Sequence, residues 1–350
     1  MYTRPVDVSA FEYRLPPAAI AQTPAEQRDA SRLLVIDRPR QRFCDRRFAD
    51  LPALLRPGDC LVVNDSRVIP ARVLARAVGS ERPVEIVFLE EATGGRWLAL
   101  VRPGRRCLPG ATLVAGDDEQ ARLRVVGIDA DGARLLERFD GTIPELLARH
   151  GLPPLPPYIT RFAKPAGEDW ERYQTVYACH PGSAAAPTAG LHFTPEILAR
   201  LKARGVEVHA LTLHIGPATF RPLPSGPVEQ HVIPGEQIVL TAEVAHAVNV
   251  ARAEGRRVVA VGTTTTRALE GAARGSEGVE PLAGRVELFI RPGHVFRVVD
   301  ALITNFHLPR SSLLVLVSAF AGRELILSAY AHAVRAGYRF YSYGDATLIQ

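Results

Sequence analysis

The sequence has 350 residues, of which 47% are hydrophobic and 23% are charged, and its formal net charge is +5. These values are typical of a globular protein with a substantial core, and the length predicts two domains or one domain with an insertion. No N-terminal stretch resembles a signal peptide, and the longest apolar run, 313–321, is too short to span a bilayer. The composition therefore excludes a membrane-spanning protein, and we expect a cytoplasmic one.

The four cysteines are scattered without a CxxC pair, and no HExxH pattern occurs among the ten histidines. Zinc sites and disulfide frameworks need clustered or regularly spaced ligands. The sequence therefore disfavours both, and we expect isolated core cysteines and no metal.

The positive charge is almost entirely arginine, with 40 Arg against 2 Lys and a pI near 9.2. Two local arginine clusters lie at 38–47 and 102–106. Such clusters fit a polyanionic partner such as RNA, although a run of charges more often forms a solvated face.

The first strand is predicted at 33–36, and Arg28 and Arg32 flank its start. Paired guanidinium groups can hold a carboxylate or phosphate by forked hydrogen bonds, and the alternative is a surface ion-pair cluster. A short helix at 48–55 precedes a buried strand at 60–63.

The strand at 60–63 runs into four polar residues, Asn64, Asp65, Ser66 and Arg67. Open α/β sheets bind ligands at the carboxyl ends of their strands, so these residues are candidates for substrate binding. A plain β-turn would use the same residue types.

Short segments rich in Val, Leu and Ile recur from about 69 to 140, between Gly, Pro and Asp turns. These segments are 72–78, 84–89, 97–101, 121–128 and 133–139. Their spacing predicts a small β-barrel or sandwich. The proline-rich stretch at 152–158 then reads as a stiff extended linker.

The remaining chain alternates helices and strands. Helices are predicted at 195–204, 241–254, from Arg267 onward, at 311–321 and at 323–336, and strands at 206–213, 258–261, 298–303 and 338–343. We therefore predict an α/β main domain with a mixed, mostly parallel sheet, formed by 1–68 and 151–350. The segment 69–150 is its inserted β-barrel domain.

Four predicted strands end in polar residues: Asn64 and Asp65, His214, Thr263 and Thr264, and Asn305 with His307. In a parallel sheet these would meet at one edge, which is the usual ligand site of such folds. The turn 262–267 adds a glycine and four hydroxyl groups between a strand and a helix. It can hold an anion or a ribose, although it is neither a Walker loop nor a GxGxxG turn.

The loop at 180–194, HPGSAAAPTAGLHFT, contains mainly small residues, Gly and Pro. Small residues allow close approach of the backbone to a ligand. Thr194 and Pro195 suit the N-cap and first position of the following helix, which places His192 at a helix entry. The alternative is a loop packed against a sheet, with a satisfied histidine.

Three segments in order, PTAGLHF, TNFHLP and YSYGDA, carry a family resemblance that runs nearly end to end. NDSRVIPAR, TLHIGPATFRPL and VVAVGTTTTRALE extend it. On these residues the chain resembles the S-adenosylmethionine:tRNA ribosyltransferase-isomerases of queuosine biosynthesis. The resemblance implies an α/β domain carrying a small β-barrel.

The resemblance also implies a reaction. The ribosyl part of S-adenosylmethionine is transferred to 7-aminomethyl-7-deazaguanine at the tRNA wobble position and isomerised, giving epoxyqueuosine, adenine and methionine without a metal. The expected partner is a tRNA anticodon loop carrying the 7-deazaguanine base, bound by a monomer.

The chemistry of this reaction suggests roles for residues. A base must remove a proton beside the sulfonium and a donor must help adenine leave, and neutral histidine suits both tasks. The candidates are His192, His214 and His307, with His192 favoured because its loop is the tightest. Residues expected to bind S-adenosylmethionine are Thr188, Gly190, Phe193, Gly262, Thr263, Thr264 and Arg267. Residues expected to bind the RNA substrate are Arg28, Arg32, Asn64, Asp65, Arg67, His231, Asn305, Tyr343 and Asp345.

Some positions depart from the family pattern. Pro234 stands where a second histidine is usual after His231, Ala218 replaces a glycine, and Thr265-Thr266 replaces Ser-Val. The altered segment 231–236 leaves open a divergent member acting on another RNA or nucleoside. The basic barrel leaves open a non-catalytic RNA-binding protein. A Rossmann-type methyltransferase is disfavoured because no early Gly-rich turn with a following acidic residue is present.

Overall fold

The computed structural model describes residues 5–130, 132–156, 158–159, 167–216, 222–233, 235–275 and 278–350. The strands in chain order are β1 (Arg32–Asp37), β2 (Arg42–Arg47), β3 (Cys60–Asn64), β4 (Ser66–Val68), β5 (Arg72–Ala77), β6 (Pro83–Glu91), β7 (Trp97–Arg102), β8 (Thr112–Ala115), β9 (Arg122–Ile128), β10 (Arg134–Arg138), β11 (His180–Ser183), β12 (Glu207–His214), β13 (Glu236–Leu240), β14 (Val258–Val261), β15 (Leu282–Val286), β16 (Ala301–Asn305) and β17 (Ala346–Ile349). The helices are α1 (Leu51–Leu54), α2 (Ile143–His150), α3 (Asp169–Arg172), α4 (Pro195–Ala203), α5 (Ala242–Ala253), α6 (Thr263–Gly271), α7 (Ser312–Ala321) and α8 (Arg323–Arg335).

A nine-stranded sheet forms the centre of the larger domain, in the order β15-β13-β12-β3-β14-β16-β17-β1-β2. Strands β12, β3, β14 and β16 are parallel neighbours, so their carboxyl ends meet at one edge. β17 is antiparallel to β16 and parallel to β1, and β2, β13 and β15 add antiparallel pairs. The predicted mixed sheet is confirmed, with parallel pairing in four of the eight neighbouring pairs of this sheet in the described chain.

The sheet is covered on both faces because successive side chains of its central strands point to opposite sides. In β3, Cys60 and Val62 join the apolar layer that contains α5 to α8, whereas Leu61 and Val63 join the layer of α1 and α4. Every residue of β3, β14 and β16 is buried. A strand buried on both faces reads as a continuous apolar run, which explains why the strands predicted at 60–63 and 258–261 are confirmed.

The strand predicted at 338–343 is wrong, because the last strand is β17. The residues before β17 form a turn in which Tyr341 has a φ of 75°. A residue in the left-handed region interrupts an extended strand. The chain also folds back tightly here, since a Cβ on Gly344 would lie 2.5 Å from the carbonyl carbon of Phe340. The recurring aromatic residues of this segment are also typical of a strand, which explains the wrong prediction.

The inserted unit is a closed antiparallel barrel with the order β10-β7-β6-β5-β8-β9, and it lies in the chain between β4 and β11. Alternate residues of β6, Val84, Ile86 and Phe88, point into its core, and Ile143 and Leu146 of α2 pack on the same core. The inserted barrel is therefore confirmed. β8 was not expected, because a four-residue strand leaves too short a pattern. The domain boundaries at 68/69 and 150/151 stay a prediction.

The linker predicted at 152–158 packs against the larger domain. Leu152 forms a bridge with Arg72 of the barrel, and Leu155 is buried. The Tyr158 hydroxyl donates a hydrogen bond to Ser342 Oγ. Pro157 lies outside the described residues. The stretch therefore joins the two domains through contacts at both ends.

Helices α7 and α8 contribute a large share of the apolar layer on one face of the sheet. Among the described residues, no single helix is long and apolar enough to cross a membrane. In the same part of the chain, α7 and α8 taken together meet the length and composition that a span requires, and they are bent by 115° at their junction.

Candidate active site at the carboxyl edge of the sheet

A cleft opens at the carboxyl ends of the central parallel strands. It encloses about 470 Å³ of space, part of it open to solvent. Its walls are the loop 186–189, the turn 262–264, the end of β16 with His307, and Ile215, Leu313, Tyr341 and Ser342. The predicted polar edge thus coincides with a cavity.

The turn between β14 and α6 supplies one wall of the cleft. Gly262 has a φ of 96° and forms the N-cap, so α6 begins at Thr263 and not at Arg267 as the sequence suggested. The hydroxyls of Thr265 and Thr266 donate back to the carbonyls of Val261 and Gly262, at 2.7 and 3.1 Å. Thr263 and Thr264 line the cleft, where the N–H groups of the first helical turn favour an anion.

The small-residue loop supplies a second wall. Residues 188–192 form a 3-10 turn, and Thr194 caps α4 by accepting from the Ile197 N–H at 3.2 Å. The predicted cap with Pro195 at the first helical position is therefore confirmed. Thr188 lines the cleft. Gly190 instead packs on protein, because a Cβ there would lie 2.1 Å from the Tyr177 hydroxyl.

His192 is buried behind the cleft and is not among its lining residues. Its Nδ1 lies 2.8 Å from Ser31 Oγ, and its Nε2 lies 3.2 Å from Asn305 Nδ2. Burial, with the positive charges of Arg28 and Arg339, lowers the pKa of His192 to about 4. The imidazole is therefore neutral at pH 7, with both nitrogens engaged.

His307 lines the cleft, although its ring is largely buried. Its Nε2 lies 3.1 Å from Thr304 Oγ1, and burial lowers its pKa to about 3. No hydrogen-bond partner of Nδ1 is found within the described parts of the chain. Of the three candidate histidines, His307 is the one that combines a free ring nitrogen with a place on the cleft wall.

His214 lies at the end of β12, next to the cleft residue Ile215. Its ring packs on Gly182, where a Cβ would lie 2.8 Å from Cε1. Burial and the neighbouring His180 lower the pKa of His214, against the opposing effect of Asp65. Asp65 accepts from the Thr212 hydroxyl at 2.7 Å and lies 3.7 Å from His180 Nε2. These side chains form a polar cluster beside the cleft rather than in its wall.

Asn305 joins the cleft to the buried histidine. It lines the cleft, and its Nδ2 contacts His192 Nε2 and the carbonyls of Tyr341 and Ser342. Asn64 instead binds the backbone of the neighbouring strand. Its Nδ2 donates to the Leu213 carbonyl at 2.9 Å, and its Oδ1 accepts from the Leu213 N–H at 3.0 Å. The two asparagines, which end strands on either side of β14, therefore have different surroundings.

The arginines expected to clamp an anion contact the protein itself. Arg28 donates to the carbonyls of Leu191 and Glu171 at 3.1 and 3.0 Å. Arg32 donates to the Ala336 carbonyl at 2.6 Å and stacks over the Tyr338 ring. Because the two guanidinium groups bind different parts of the chain, they do not form a shared fork.

Two residues of the C-terminal motif are also committed to the fold. The buried carboxylate of Asp345 accepts from the backbone N–H groups of Arg32 and Arg339 at 2.8 and 2.7 Å. Burial raises its pKa. The Tyr343 hydroxyl donates to Asp169 Oδ1 at 3.2 Å. Both residues lie outside the cleft lining.

Arg267 and Phe193, expected to bind S-adenosylmethionine, are core residues. Arg267 Nη1 donates to Glu236 Oε2 at 2.6 Å in a buried ion pair, which ties α6 to β13. The Phe193 ring packs edge-on against Phe48 at 5.0 Å. Arg67 is exposed on β4, and His231 ends a 3-10 turn at 228–230. Neither lines the cleft.

Several cleft residues carried no signal in the sequence analysis. Ile215 and Leu313 are ordinary apolar residues, and only the folded chain brings them to the cleft. Tyr341 and Ser342 belong to the specific segment YSYGDA, which was the available signal for them. Ala218 and Pro234, the departures from the family pattern, lie outside the described residues. Among the described residues, no group of three or more His, Cys, Asp or Glu side chains is placed to hold a metal ion.

The chain is similar to known proteins in both sequence and structure. The family model described as queuosine biosynthesis protein matches residues 8–349. S-adenosylmethionine:tRNA ribosyltransferase-isomerase of Thermus thermophilus is 53% identical, over 98% of this chain and 99% of the relative. The protein of that name from Moorella thermoacetica is 51% identical, over 98% and 99%. The crystal structure of S-adenosylmethionine tRNA ribosyltransferase from Thermotoga maritima superposes with a TM-score of 0.56 and 38% identity, covering 98% of this chain and all of that one.

Proposed function

The chain belongs to the queuosine biosynthesis protein family, and we propose that the cleft at the carboxyl edge of its sheet is where it carries out that family's reaction. The enzyme is an S-adenosylmethionine-dependent tRNA ribosyltransferase-isomerase, as its relatives over the full chain are named. In our proposal the acceptor is the aminomethyl group of 7-aminomethyl-7-deazaguanine at the wobble position of the anticodon loop. The products are epoxyqueuosine in the tRNA, adenine and methionine.

The observation that carries this proposal is the composition of the cleft. The N-terminus of α6 offers the first-turn N–H groups of Thr263 and Thr264, and the end of the adjacent strand β16 offers Asn305 and His307. Ile215, Leu313 and Tyr341 supply apolar surface between them. A molecule with a carboxylate, polar hydroxyl and amino groups and an aromatic base matches this mixture, and S-adenosylmethionine has all of them.

His307 is our candidate for proton transfer. A proton must leave the carbon beside the sulfonium, and the acceptor must be in its base form at neutral pH. The depressed pKa keeps the His307 imidazole neutral, and Nδ1 is free to face a bound ligand. His192, favoured by the sequence alone, is separated from the cleft by Asn305. The catalytic role therefore passes to His307 in this proposal.

The RNA enters from the open side of the cleft, next to the barrel insertion. We propose a monomer as the active form. We also propose that the enzyme acts in the cytoplasm, where its tRNA substrate is found, and that no metal is required. Activity retained after treatment with a chelator would support the last point, and light scattering of the active sample would test the monomer.

The deciding experiment is a reaction with S-adenosylmethionine and tRNA bearing 7-aminomethyl-7-deazaguanine. We expect adenine release and a mass increase of the wobble nucleoside that matches the epoxycyclopentane product. The matched control is the same tRNA with guanine at that position, which lacks the attacking amine and should give no product. Binding of both substrates without adenine release would favour a non-catalytic RNA-binding protein, and turnover of the guanine tRNA would favour a divergent substrate.

A further inference from the structure

The amide group of Asn305 has only one possible orientation. Its Nδ2 lies 3.0 Å from the Tyr341 carbonyl, 3.2 Å from His192 Nε2 and 3.4 Å from the Ser342 carbonyl. Backbone carbonyls only accept hydrogen bonds, so the NH₂ group and not the carbonyl of the amide must face them. The two amide hydrogens are therefore directed to the protein.

His192 holds this orientation. Because Asn305 Nδ2 is a donor, His192 Nε2 must accept, and the proton of the neutral ring is on Nδ1. Nδ1–H then donates to Ser31 Oγ at 2.8 Å, and the Ser31 hydroxyl donates to the Arg28 carbonyl at 3.2 Å. A chain of hydrogen bonds thus runs from a backbone carbonyl to Asn305, and each member fixes the next.

The other end of the Asn305 amide is unsatisfied. Oδ1 has no hydrogen-bond partner among the described residues, although Asn305 is only 3% exposed and its side chain lines the cleft. Buried polar atoms in folded proteins nearly always have a partner. An acceptor left open at a cavity wall indicates that a ligand supplies the donor.

The nearest ligand-binding feature is the N-terminus of α6. β14 and β16 are parallel neighbours with Val261 opposite Ile303. Gly262 directly follows β14, and Asn305 is the last residue of the adjacent β16, at a strand spacing of about 4.8 Å. The cleft therefore places N–H donors for an anion beside a carbonyl acceptor for a cation or other donor. In an α-amino acid, a carboxylate and an ammonium group are joined through one carbon, and they match this pair.

We propose that the α6 N-terminus and Asn305 Oδ1 together bind the amino-acid end of S-adenosylmethionine, with Ser31 and His192 as positioning residues for the Asn305 amide. The first-turn N–H groups take the carboxylate, and Oδ1 takes the ammonium group. This inference rests on the proposed function, since it specifies how the same cleft binds its substrate. The adenine amino group is the other donor that could reach Oδ1, and the experiment separates the two.

The test measures dissociation constants by equilibrium dialysis, with guanine-containing tRNA present so that no turnover occurs. The ligands are S-adenosylmethionine, its deaminated analogue lacking the α-ammonium group, and its analogue lacking the adenine amino group. In the parent enzyme, loss of the ammonium group should weaken binding roughly tenfold or more, because a charged hydrogen bond is lost. In Asn305→Ala the parent ligand should bind as weakly as the deaminated one, and removing the ammonium group should have little further effect.

The positioning role of His192 is tested in the same assay. His192→Gln retains an acceptor near the position of Nε2 and should stay within about threefold of the parent dissociation constant. His192→Met removes the acceptor and should lose most of the discrimination between the native and the deaminated ligand. A purely structural role would not change that ratio. Asn249→Ala is the matched control, since Asn249 binds the Val279 backbone away from the cleft and should leave the ratio unchanged.

Three results would overturn the inference. If removal of the adenine amino group weakens binding to the parent but not to Asn305→Ala, Asn305 Oδ1 binds the adenine base and not the ammonium group. If the ratio of the dissociation constants of the deaminated and the native ligand is the same in the parent and in Asn305→Ala, Asn305 does not take part in ligand recognition. The proposed function then remains intact, provided that the parent turns over its substrate. A parent enzyme that neither binds nor turns over S-adenosylmethionine would refute the proposed function itself.

Discussion

The polar residues around the cleft divide into those engaged by the fold and those left free for a ligand. The side chains of His192, Asn64 and Asp345 bind neighbouring protein groups. Asn305 Oδ1 and His307 Nδ1 have no such partner in the described chain. Because Asn305 Oδ1 is buried without a partner, which is destabilising, and because His307 lines the cleft, we expect a ligand to engage these two atoms.

Replacement of His307 tests the proton-transfer role. His307→Ala should lower kcat roughly a hundredfold or more, the usual contribution of a positioned acid or base. The dissociation constant of S-adenosylmethionine should change much less, because the proton is transferred only during reaction. His192→Gln is the comparison, and its kcat should remain far above that of His307→Ala. The reverse order, with His192→Gln inactive and His307→Ala active, would return the catalytic role to His192.

The two buried histidines also predict how stability changes with pH. Their folded pKa values, about 4 for His192 and about 3 for His307, lie below the ordinary value of 6.5. Below pH 6.5 the unfolded chain therefore binds more protons than the folded one, and the free energy of unfolding falls as the pH falls. Each pKa unit of difference corresponds to about 1.4 kcal/mol at full expression.

Urea unfolding between pH 6.5 and 5 measures this slope above the titration of most carboxylates. The parent should lose stability toward pH 5, and His214, whose pKa is also lowered, contributes with the same sign. A protein carrying His192→Gln and His307→Gln should show a clearly smaller slope, whatever its absolute stability. An unchanged slope in this double variant would contradict the burial of neutral rings.

At the scale of elements, the α6 N-terminus depends on one glycine. Gly262 combines a φ of 96° with a ψ of 149°, a region that residues with a Cβ rarely occupy. The conformation turns the chain from β14 into α6 and leaves the first N–H groups directed at the cleft. Space is not the constraint, because a Cβ at this position would make only ordinary contacts.

Gly262→Ala should therefore destabilise the enzyme by about 1–3 kcal/mol and also weaken S-adenosylmethionine binding. Gly322 provides a matched control, since it is the N-cap of α8 with φ 90° and ψ 133° and has no heavy atom near an added Cβ. Gly322→Ala should lose similar stability without loss of ligand affinity. Thermal unfolding and equilibrium dialysis on both variants separate the two effects. Equal ligand affinity in the two variants would remove the α6 turn from the binding site.

At the scale of the molecule, the barrel is attached through the ends of the cleft walls. The chain leaves the sheet after β3, enters the barrel through β4 and returns through β11, which pairs with β4 and leads into the loop at 186–189. The barrel therefore stands beside the cleft. An RNA whose target base reaches the cleft would meet the barrel surface, where Arg102 and Arg105 are exposed.

The arginines differ in their availability to RNA. Arg38 is committed to the Phe320 and Asp300 carbonyls, and Arg40 pairs with Asp37. Arg102, Arg105 and Arg106 have no ion-pair partner within the described residues. Because it lies on the barrel beside the cleft, the cluster at 102–106 is our candidate for phosphate contacts.

Replacing Arg102, Arg105 and Arg106 with Gln should weaken tRNA binding and reduce its dependence on salt, by about 0.9 in the logarithmic slope for each phosphate that the variant no longer neutralises. S-adenosylmethionine affinity should not change. The control replaces Arg96 and Arg124, which share Glu137 on the same barrel and should contribute less. Filter binding from 50 to 300 mM salt, roughly the range over which salt weakens phosphate binding steeply, gives the slope. An unaltered slope in the triple variant would show that these three arginines do not contact phosphate groups and that the basic charge reflects composition alone.

Neighbouring residues along the chain were sufficient to predict several features. Continuous apolar runs identified β3 and β14, Thr194 and Pro195 identified the start of α4, and short regular segments identified the barrel. The polar ends of the central strands located the cleft, because parallel strands bring their carboxyl ends to one edge. The family followed from motifs spread along the chain.

Which polar groups remain free, in contrast, depends on the folded chain. His192 and His307 are equivalent in a sequence, but the fold surrounds His192 with Ser31 and Asn305 and leaves one nitrogen of His307 open. Arg267 follows a loop that suggested ligand binding, yet its ion pair with Glu236 joins residues 31 positions apart. Hydrogen-bond partners are supplied by distant segments, so the satisfaction of a polar group is a property of packing that no local pattern records.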